Sequence, residues 1–167
     1  MFIQTKRLEL KPITHASLEA LAELLTDDVV KQTYMVPDFA SKEEAMVMAQ
    51  RLMALSEDED RHLAGIYLGP QLIGMLNKTD SQGDRVEVGY ALLPRFHNQG
   101  YATEALTGVI PYFFAQGFRE VIAGAFEENA ASFRVMVKSG MKPFPYEDEV
   151  AYRGKTHRCR YCSIQQQ

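Results

Sequence analysis

The sequence has no tryptophan, only two cysteines and no apolar run long enough to span a bilayer. Each absence excludes something. Two cysteines cannot build the disulfide framework of a small secreted domain. Cys159 and Cys162 keep a Cys-x-x-Cys spacing, which suits a redox or metal pair. However, they fall in a stretch, Thr156 to Ile164, that reads as a strand, where positions three apart face opposite sides, and no second pair completes a zinc site. Two unrelated thiols are expected, with no metal. Met1 to Arg7 lacks the apolar middle of a signal peptide, so a cytoplasmic location is the default expectation. Positive charge is also short: 18 Lys and Arg stand against 22 Asp and Glu, a formal net charge of -4. That balance speaks against non-specific binding to nucleic acid and fits a cationic or amine-bearing partner better. Internal repeats, low-complexity tracts and linkers are absent. A length of 167 residues suits one domain, residues 1–167, which can bury about two-thirds of its unfolded surface.

What is present is a readable alternation of elements. Leu8 and Leu10 alternate with charges and mark a half-buried first strand, ended by Pro12. Thr14 is a candidate N-cap for a helical stripe of Leu18, Leu21, Leu24 and Leu25. The segment from Asp27 to Phe39 is ambiguous, a short helix followed by a loop. Ser41 with Glu44 forms a capping box before a second stripe, Ala45, Met48, Ala49, Leu52 and Met53, which reads as core or as an adaptable groove wall. Ser56 to Asp60 is an acidic, solvated loop. Leu63 to Leu68 and Leu72 to Asn77 form a hairpin around Gly69-Pro70, and Val86 to Leu92 is the next strand. A helix from Gly100 to near Gly117 follows, with Pro111 expected to bend it or loosen one turn. Glu120 to Ala125 is a strand, Asn129 caps a helix ending at Gly140, and Lys142 to Ile164 holds two or more short strands with Gly154 in a turn. This order is α+β, with a central mixed, mostly antiparallel sheet of about seven strands flanked by helices.

The stretch from Leu92 to Leu106 organises the rest. It runs from a strand to a helix through a turn with little bulk at Gly100 and Ala102. Such a turn can point unpaired backbone N–H groups outward at a helix N-terminus, a site for phosphate oxygens, although tight packing alone would also explain the small residues. It is neither a nucleotide P-loop nor a dinucleotide-binding Gly-x-Gly-x-x-Gly turn. Together, Gly100-Tyr101-Ala102-Thr103-Glu104-Ala105-Leu106 and Asn129…Ser132…Lys138-Ser139-Gly140-Met141 resemble the GNAT superfamily of acyl-CoA-dependent N-acetyltransferases. The opening Thr5-Lys6-Arg7-Leu8-Glu9-Leu10-Lys11-Pro12 is similar to the first strand of one branch, the ribosomal-protein N-terminal (alanine or serine) acetyltransferases.

The resemblance implies a GNAT fold in which Val86–Leu92 and Val121–Ala125 splay apart. It implies an acyltransferase that uses acetyl-CoA as co-substrate, needs no metal and acts on an amine-bearing acceptor, a protein N-terminus or a small molecule. The protein would act as a monomer or a homodimer. It assigns the pyrophosphate to the backbone of His97, Asn98, Gln99, Gly100, Tyr101, Ala102 and Thr103. The acetyl and pantetheine contacts fall to the backbone of Leu92 and Leu93, and Asn129 bonds the pantetheine arm with Ser132 close by. Two positions depart from the family pattern. His97 stands where Arg or Gln often opens the loop, and Met136 stands where many members carry a general-acid tyrosine. Ser132 is then the nearest hydroxyl, or simply a first-turn residue. Acetyl transfer also needs a neutral amine. Glu87, a carboxylate in an otherwise apolar strand, is the candidate base; alternatively it pairs with Lys78 or Arg85. Tyr90, Tyr34 and Phe39 are candidates for the acceptor side or for core. The rival class is a GNAT-fold module that binds an acyl-CoA but has lost turnover.

Overall fold

The computed structural model describes residues 1–167. Its first strands, β1 (Ile3–Gln4) and β2 (Leu8–Lys11), pair antiparallel and bury Leu8 and Leu10. Three helices follow: α1 (Leu18–Thr26), α2 (Asp28–Thr33) and α3 (Lys42–Ser56). Thr14 is not the helix cap. A 3-10 turn over His15–Ser17 precedes α1, and the Thr14 hydroxyl bonds Ser17 instead. The ambiguous segment resolves into α2, because the Asp27 carboxylate accepts from the N–H groups of Val29 and Val30 and so starts a helix. Ser41 caps α3 through the Glu44 N–H, while the Glu44 carboxylate reaches back to Ala40.

The remaining elements are β3 (Leu63–Leu68), β4 (Gln71–Gln82), β5 (Arg85–Leu92), α4 (Tyr101–Ala115), β6 (Glu120–Phe126), α5 (Ala130–Lys138), β7 (Lys142–Tyr152) and β8 (Lys155–Gln165). Helix α4 continues through Pro111, which lies on its exposed side. The strands form one sheet in the order β1-β2-β3-β4-β5-β6-β8-β7, eight strands where about seven were expected. The additional one is β1, whose two residues carry no readable period. The C-terminal region is two strands with Gly154 in the turn between them, as expected, but they form one long hairpin, β7–β8, of 11 residues each rather than short strands.

All pairings are antiparallel except β5–β6. Each face of the sheet is covered. Val86, Val88 and Leu92 point towards α4 and α5 and pack with Leu106, Val109 and Phe113. Ala91, Met75 and Tyr67 belong to the opposite core, with Leu21, Leu24 and Leu25 of α1. Burial of each such large side chain stabilises the fold by about 1.5–3 kcal/mol. The parallel pair is short: only Arg85–Glu87 meet Glu120–Ile122. Beyond it β5 stays with β4 and β6 stays with β8, so the two strands part, as expected, and leave a V in the centre of the sheet.

Candidate active site

The V opens into a cleft of about 750 Å³. At one end lies the turn into α4. After a short 3-10 turn (Pro94–Phe96), Asn98 and Gly100 both adopt left-handed backbone, with φ of 59° and 82°. Asn tolerates that region and Gly is free in it, whereas a β-branched residue would be strained. No side chain caps α4, so its first N–H groups are left to the cleft with the positive end of the helix dipole. His97, Asn98, Gly100, Tyr101, Ala102 and Thr103 line this end. The His97 ring bonds the Leu92 carbonyl through Nε2 at 2.9 Å and ties the turn back to its strand.

A second tie comes from the far end of the sequence. Glu104, in the first turn of α4, accepts from Thr5 Oγ1 (2.7 Å), from the Arg7 backbone N–H (2.6 Å) and from Arg7 Nε (2.7 Å). Arg7 also donates to the Gln99 carbonyl at 3.1 Å and lies over the Tyr101 ring. Burial alone would raise the Glu104 pKa, but the bonds from Thr5 and Arg7 more than reverse this and hold it below the ordinary carboxylate range. Arg7 thereby neutralises the Glu104 charge beside the exposed amides of the turn. Gln99 turns its carbonyl to Arg7 and its side chain to the Arg95 carbonyl, outside the cleft lining. Leu93 is also outside it: its N–H bonds the Ile73 carbonyl and its side chain is fully buried in the α1 core.

Glu87 sits at the apex, the last β5 residue still paired with β6. Neither cation suggested by the sequence reaches it. Arg85 pairs with Glu120 at 2.7 Å, and Lys78 donates to the Asp60 carbonyl. Burial, aided by the charges of Asp80 and Asp148, pushes the Glu87 carboxyl up, partly offset by a hydrogen bond from Thr79. Thr79 is the extra residue of a β-bulge, since Lys78 faces Val88 but Asp80 faces Glu87. Bulges re-aim side chains, and this one turns a hydroxyl to the carboxylate.

On the α5 side, the Asn129 carboxamide oxygen caps the helix by accepting from the Ser132 N–H at 3.1 Å. Ser132 and Tyr90 share a hydrogen bond of 2.8 Å between their hydroxyls. Tyr90 therefore faces the α5 side, not the acceptor side suggested by the sequence. Met136 is wholly buried in the core and offers nothing to the cleft.

The opposite mouth of the cleft is walled by Val30, Tyr34, Asn77, Val150 and Tyr161. Tyr34 donates to Asn77 at 2.7 Å, and its pKa is pushed up to about 12 by burial. Gly124 admits the Tyr161 ring, which would overlap a Cβ there. The β7–β8 hairpin is strapped over this mouth by Tyr152, whose hydroxyl donates to the Lys31 carbonyl at 2.9 Å, and by an Arg153–Asp38 ion pair. Phe39 lies apart, in a shallow groove along α3. Both thiols are free and buried. Cys159 faces the cleft and Cys162 the α4–α5 core, the opposed orientation expected of them.

The cleft thus gathers Glu87, Leu92, His97, Asn98, Gly100, Tyr101, Ala102, Thr103, Asn129 and Ser132. Sequence reasoning misses the Arg7 clamp, Thr79, the Tyr90–Ser132 pair and the Tyr152 strap. Only Arg7 leaves a signal, an Arg two residues after Thr5 in the family-like opening segment.

Comparison with known proteins agrees with this architecture. Residues 7–142 match the model of the acetyltransferase (GNAT) domain. An N-acetyltransferase of Bacillus subtilis described as uncharacterized, YoaA, is 30% identical over 145 residues, covering 84% of this chain and 82% of that protein. The crystal structure of a GNAT-family acetyltransferase from Bacillus anthracis superposes with a TM-score of 0.84 at 24% identity, over 99% of this chain and 98% of that one. A Salmonella typhimurium acetyl transferase that modifies the N-terminal serine of ribosomal protein L7/L12 superposes with a TM-score of 0.82 at 18% identity, over 100% of both chains. With the splayed strands, the uncapped helix turn and these relatives in agreement, the chain belongs to the GNAT family of acetyltransferases.

Proposed function

We infer that this protein transfers an acetyl group from acetyl-CoA to a primary amine, a protein N-terminal α-amine or a small amine, by direct attack on the thioester. The observation that carries this reading is the placing of Glu87 at the apex of a V whose other end is an uncapped helix N-terminus. The residues present suit the co-substrate. The left-handed Gly100 keeps the turn free of bulk, and the amides of Tyr101 to Thr103 and the helix dipole favour pyrophosphate oxygens. The open inner edge of β5 can pair with the amide-bearing arm, and Asn129 keeps its carboxamide nitrogen as a donor. Bound there, acetyl-CoA supplies an activated acyl carbon.

The protein's own groups supply the proton chemistry. An α-amine has a pKa of ~8, so at neutral pH about a tenth is already neutral and the base has modest work to do. Glu87, with its raised pKa, is suited to take the amine proton through a water. The Salmonella neighbour's acceptor, an N-terminal serine, supports a protein α-amine. The Tyr152 strap, which ties the β7–β8 hairpin to the segment after α2 that carries Tyr34, walls one side of the mouth and favours an acceptor presented as a thin end or a small molecule. A second reading, binding without turnover, draws on Met136. The test is an acceptor screen: acetyl-CoA with peptides of varied N-terminal residue and with small amines, read by mass spectrometry. A product heavier by one acetyl group supports turnover; calorimetric binding of acetyl-CoA with no product from any amine supports the second reading.

A further inference from the structure

We propose that the acceptor half of the cleft selects amines with no carboxylate near the nitrogen: peptide N-termini whose first residue is neutral or basic, and small amines without an acid group. Free amino acids and acidic N-termini are turned away. The proposal rests on the acetyl-transfer reading of the cleft and names the class of acceptor that this reading leaves open.

Charge is sorted along the cleft. Its basic lining residues are His97, Arg134 and Lys138, and all three belong to the turn into α4 or to α5. At the other mouth the walls are Val30, Met35, Phe126 and Val150 with the rings of Tyr34 and Tyr161, and the charged lining residue is Glu87. Asp80 stands directly opposite Glu87 across β4–β5, and Asp148 stands opposite the cleft-lining Cys159 across β7–β8. Directly opposed residues share a face of the sheet, so both carboxylates lie on the Glu87 side. Each accepts only from the backbone N–H of the next residue.

The cations around this mouth are already engaged. Lys31 sits 3.2 Å from Asp28 and 3.8 Å from Asp38, and Arg153 also pairs with Asp38. Lys155 and the His157 ring meet Glu128, and Arg158 and Arg160 lie between Glu127 and Glu147. Neutral donors are mostly engaged as well. The Tyr34 hydroxyl donates to Asn77, the Asn77 amide to the Lys78 carbonyl at 3.3 Å, and the Thr79 hydroxyl to Glu87. The hydroxyls of Thr33 and Tyr161 remain, and neither carries charge.

A carboxylate carried in beside the amine would thus lose its water, gain no cation and face the ionised Glu87. Two like charges about 6 Å apart, at an effective dielectric of about 20, repel by an amount worth roughly a hundredfold. A neutral or cationic neighbour of the nitrogen meets no such penalty, and the apolar walls suit its carbon skeleton.

Two peptide amides that differ only in beginning with Asn or with Asp test this, because they offer a carboxamide or a carboxylate of the same size. At saturating acetyl-CoA, kcat/KM for the Asn peptide should exceed that for the Asp peptide by about thirtyfold to a hundredfold. Leucinamide should outrun leucine in the same sense, with rates expressed per neutral amine. Met35 is 55% exposed at the mouth, so Met35→Arg adds a guanidinium there without disturbing the core, and the Asn/Asp ratio should fall by about tenfold. A wild-type ratio within about threefold of one would overturn the proposal and leave acetyl transfer standing. A large ratio that the folded Met35→Arg variant does not move would also overturn it, since the selection would then lie in shape rather than charge. A wild-type chain that acetylates no amine at all removes the parent reading and this one with it.

Discussion

Glu87 carries opposing demands on one side chain. Burial holds its carboxyl above the ordinary range, so the folded protein keeps a proton that the unfolded chain has already lost. The stability this confers is complete below the unfolded pKa, ~4.3, and is lost as pH rises through the raised folded value. Above that raised value the wild type bears the cost of an ionised, half-buried carboxylate. Glu87→Gln should therefore leave Tm unchanged at pH 4 or below and raise it increasingly as pH climbs through the folded value, measured by calorimetry. The same change should lower kcat by ~10²-fold near pH 7, with little effect on acetyl-CoA affinity, and remove the acidic limb of the rate profile. A defect confined to KM for the amine would make Glu87 an anchor for the cationic acceptor instead. Gly100 sets a complementary expectation. Gly100→Val places a β-branched residue at a φ of 82°, so the thermal shift produced by acetyl-CoA should vanish while the chain stays folded.

At the scale of elements, the turn into α4 is held by two neighbours rather than by its own sequence. His97 fastens it to the end of β5, and the Thr5–Arg7 corner between β1 and β2 fastens it to the edge of the sheet. Arg7→Ala should both loosen the turn and leave the Glu104 charge uncancelled beside the anion site. An acetyl-CoA Kd about tenfold weaker, worth ~1.4 kcal/mol, is expected. Combining it with Glu104→Gln should recover part of that loss, because the repulsion goes even though the clamp does not. Calorimetric titration of the four proteins reads this cycle; equal losses in the single and double variants would assign Arg7 to clamping alone. The Glu104 pKa is lowered, so the clamp's contribution to stability is present above the unfolded carboxylate pKa and fades as pH falls through the lower folded value.

At the scale of the whole molecule, the cleft mouth lined by Tyr34, Val150 and Tyr161 exists because the C-terminal hairpin returns across the sheet. The Tyr152 hydroxyl meets the Lys31 carbonyl from 121 residues away in sequence. Tyr152→Phe keeps the ring packed on Phe126 and cuts the strap. The mouth should then gape. KM for a small amine should rise several-fold while acetyl-CoA affinity stays the same, read from initial rates at saturating acetyl-CoA.

Elements whose burial repeats along the chain are legible from residue order alone. Leu8 with Leu10, the α1 leucines, and Ala105, Leu106, Val109 and Phe113 each declare a face by period. The turn into α4 is legible because a left-handed backbone selects Gly, and the parting of β5 and β6 follows from the family resemblance. What period cannot carry is pairing. Two residues of β1 have no period. The bulge at Thr79 is a register shift, invisible until β4 lies against β5. Whether Glu87 meets Lys78, Arg85 or neither depends on which cations Asp60 and Glu120 have already drawn away. Tyr90 and Ser132 are 42 positions apart, and only the packing of α5 on the sheet decides that their hydroxyls meet. Residue order settles the long periodic elements, the two apolar faces and the backbone turn, because those are local consequences of side-chain size and φ. The tertiary structure alone decided the partners of the polar groups, because a hydrogen bond is settled by which distant atom arrives within about 3 Å.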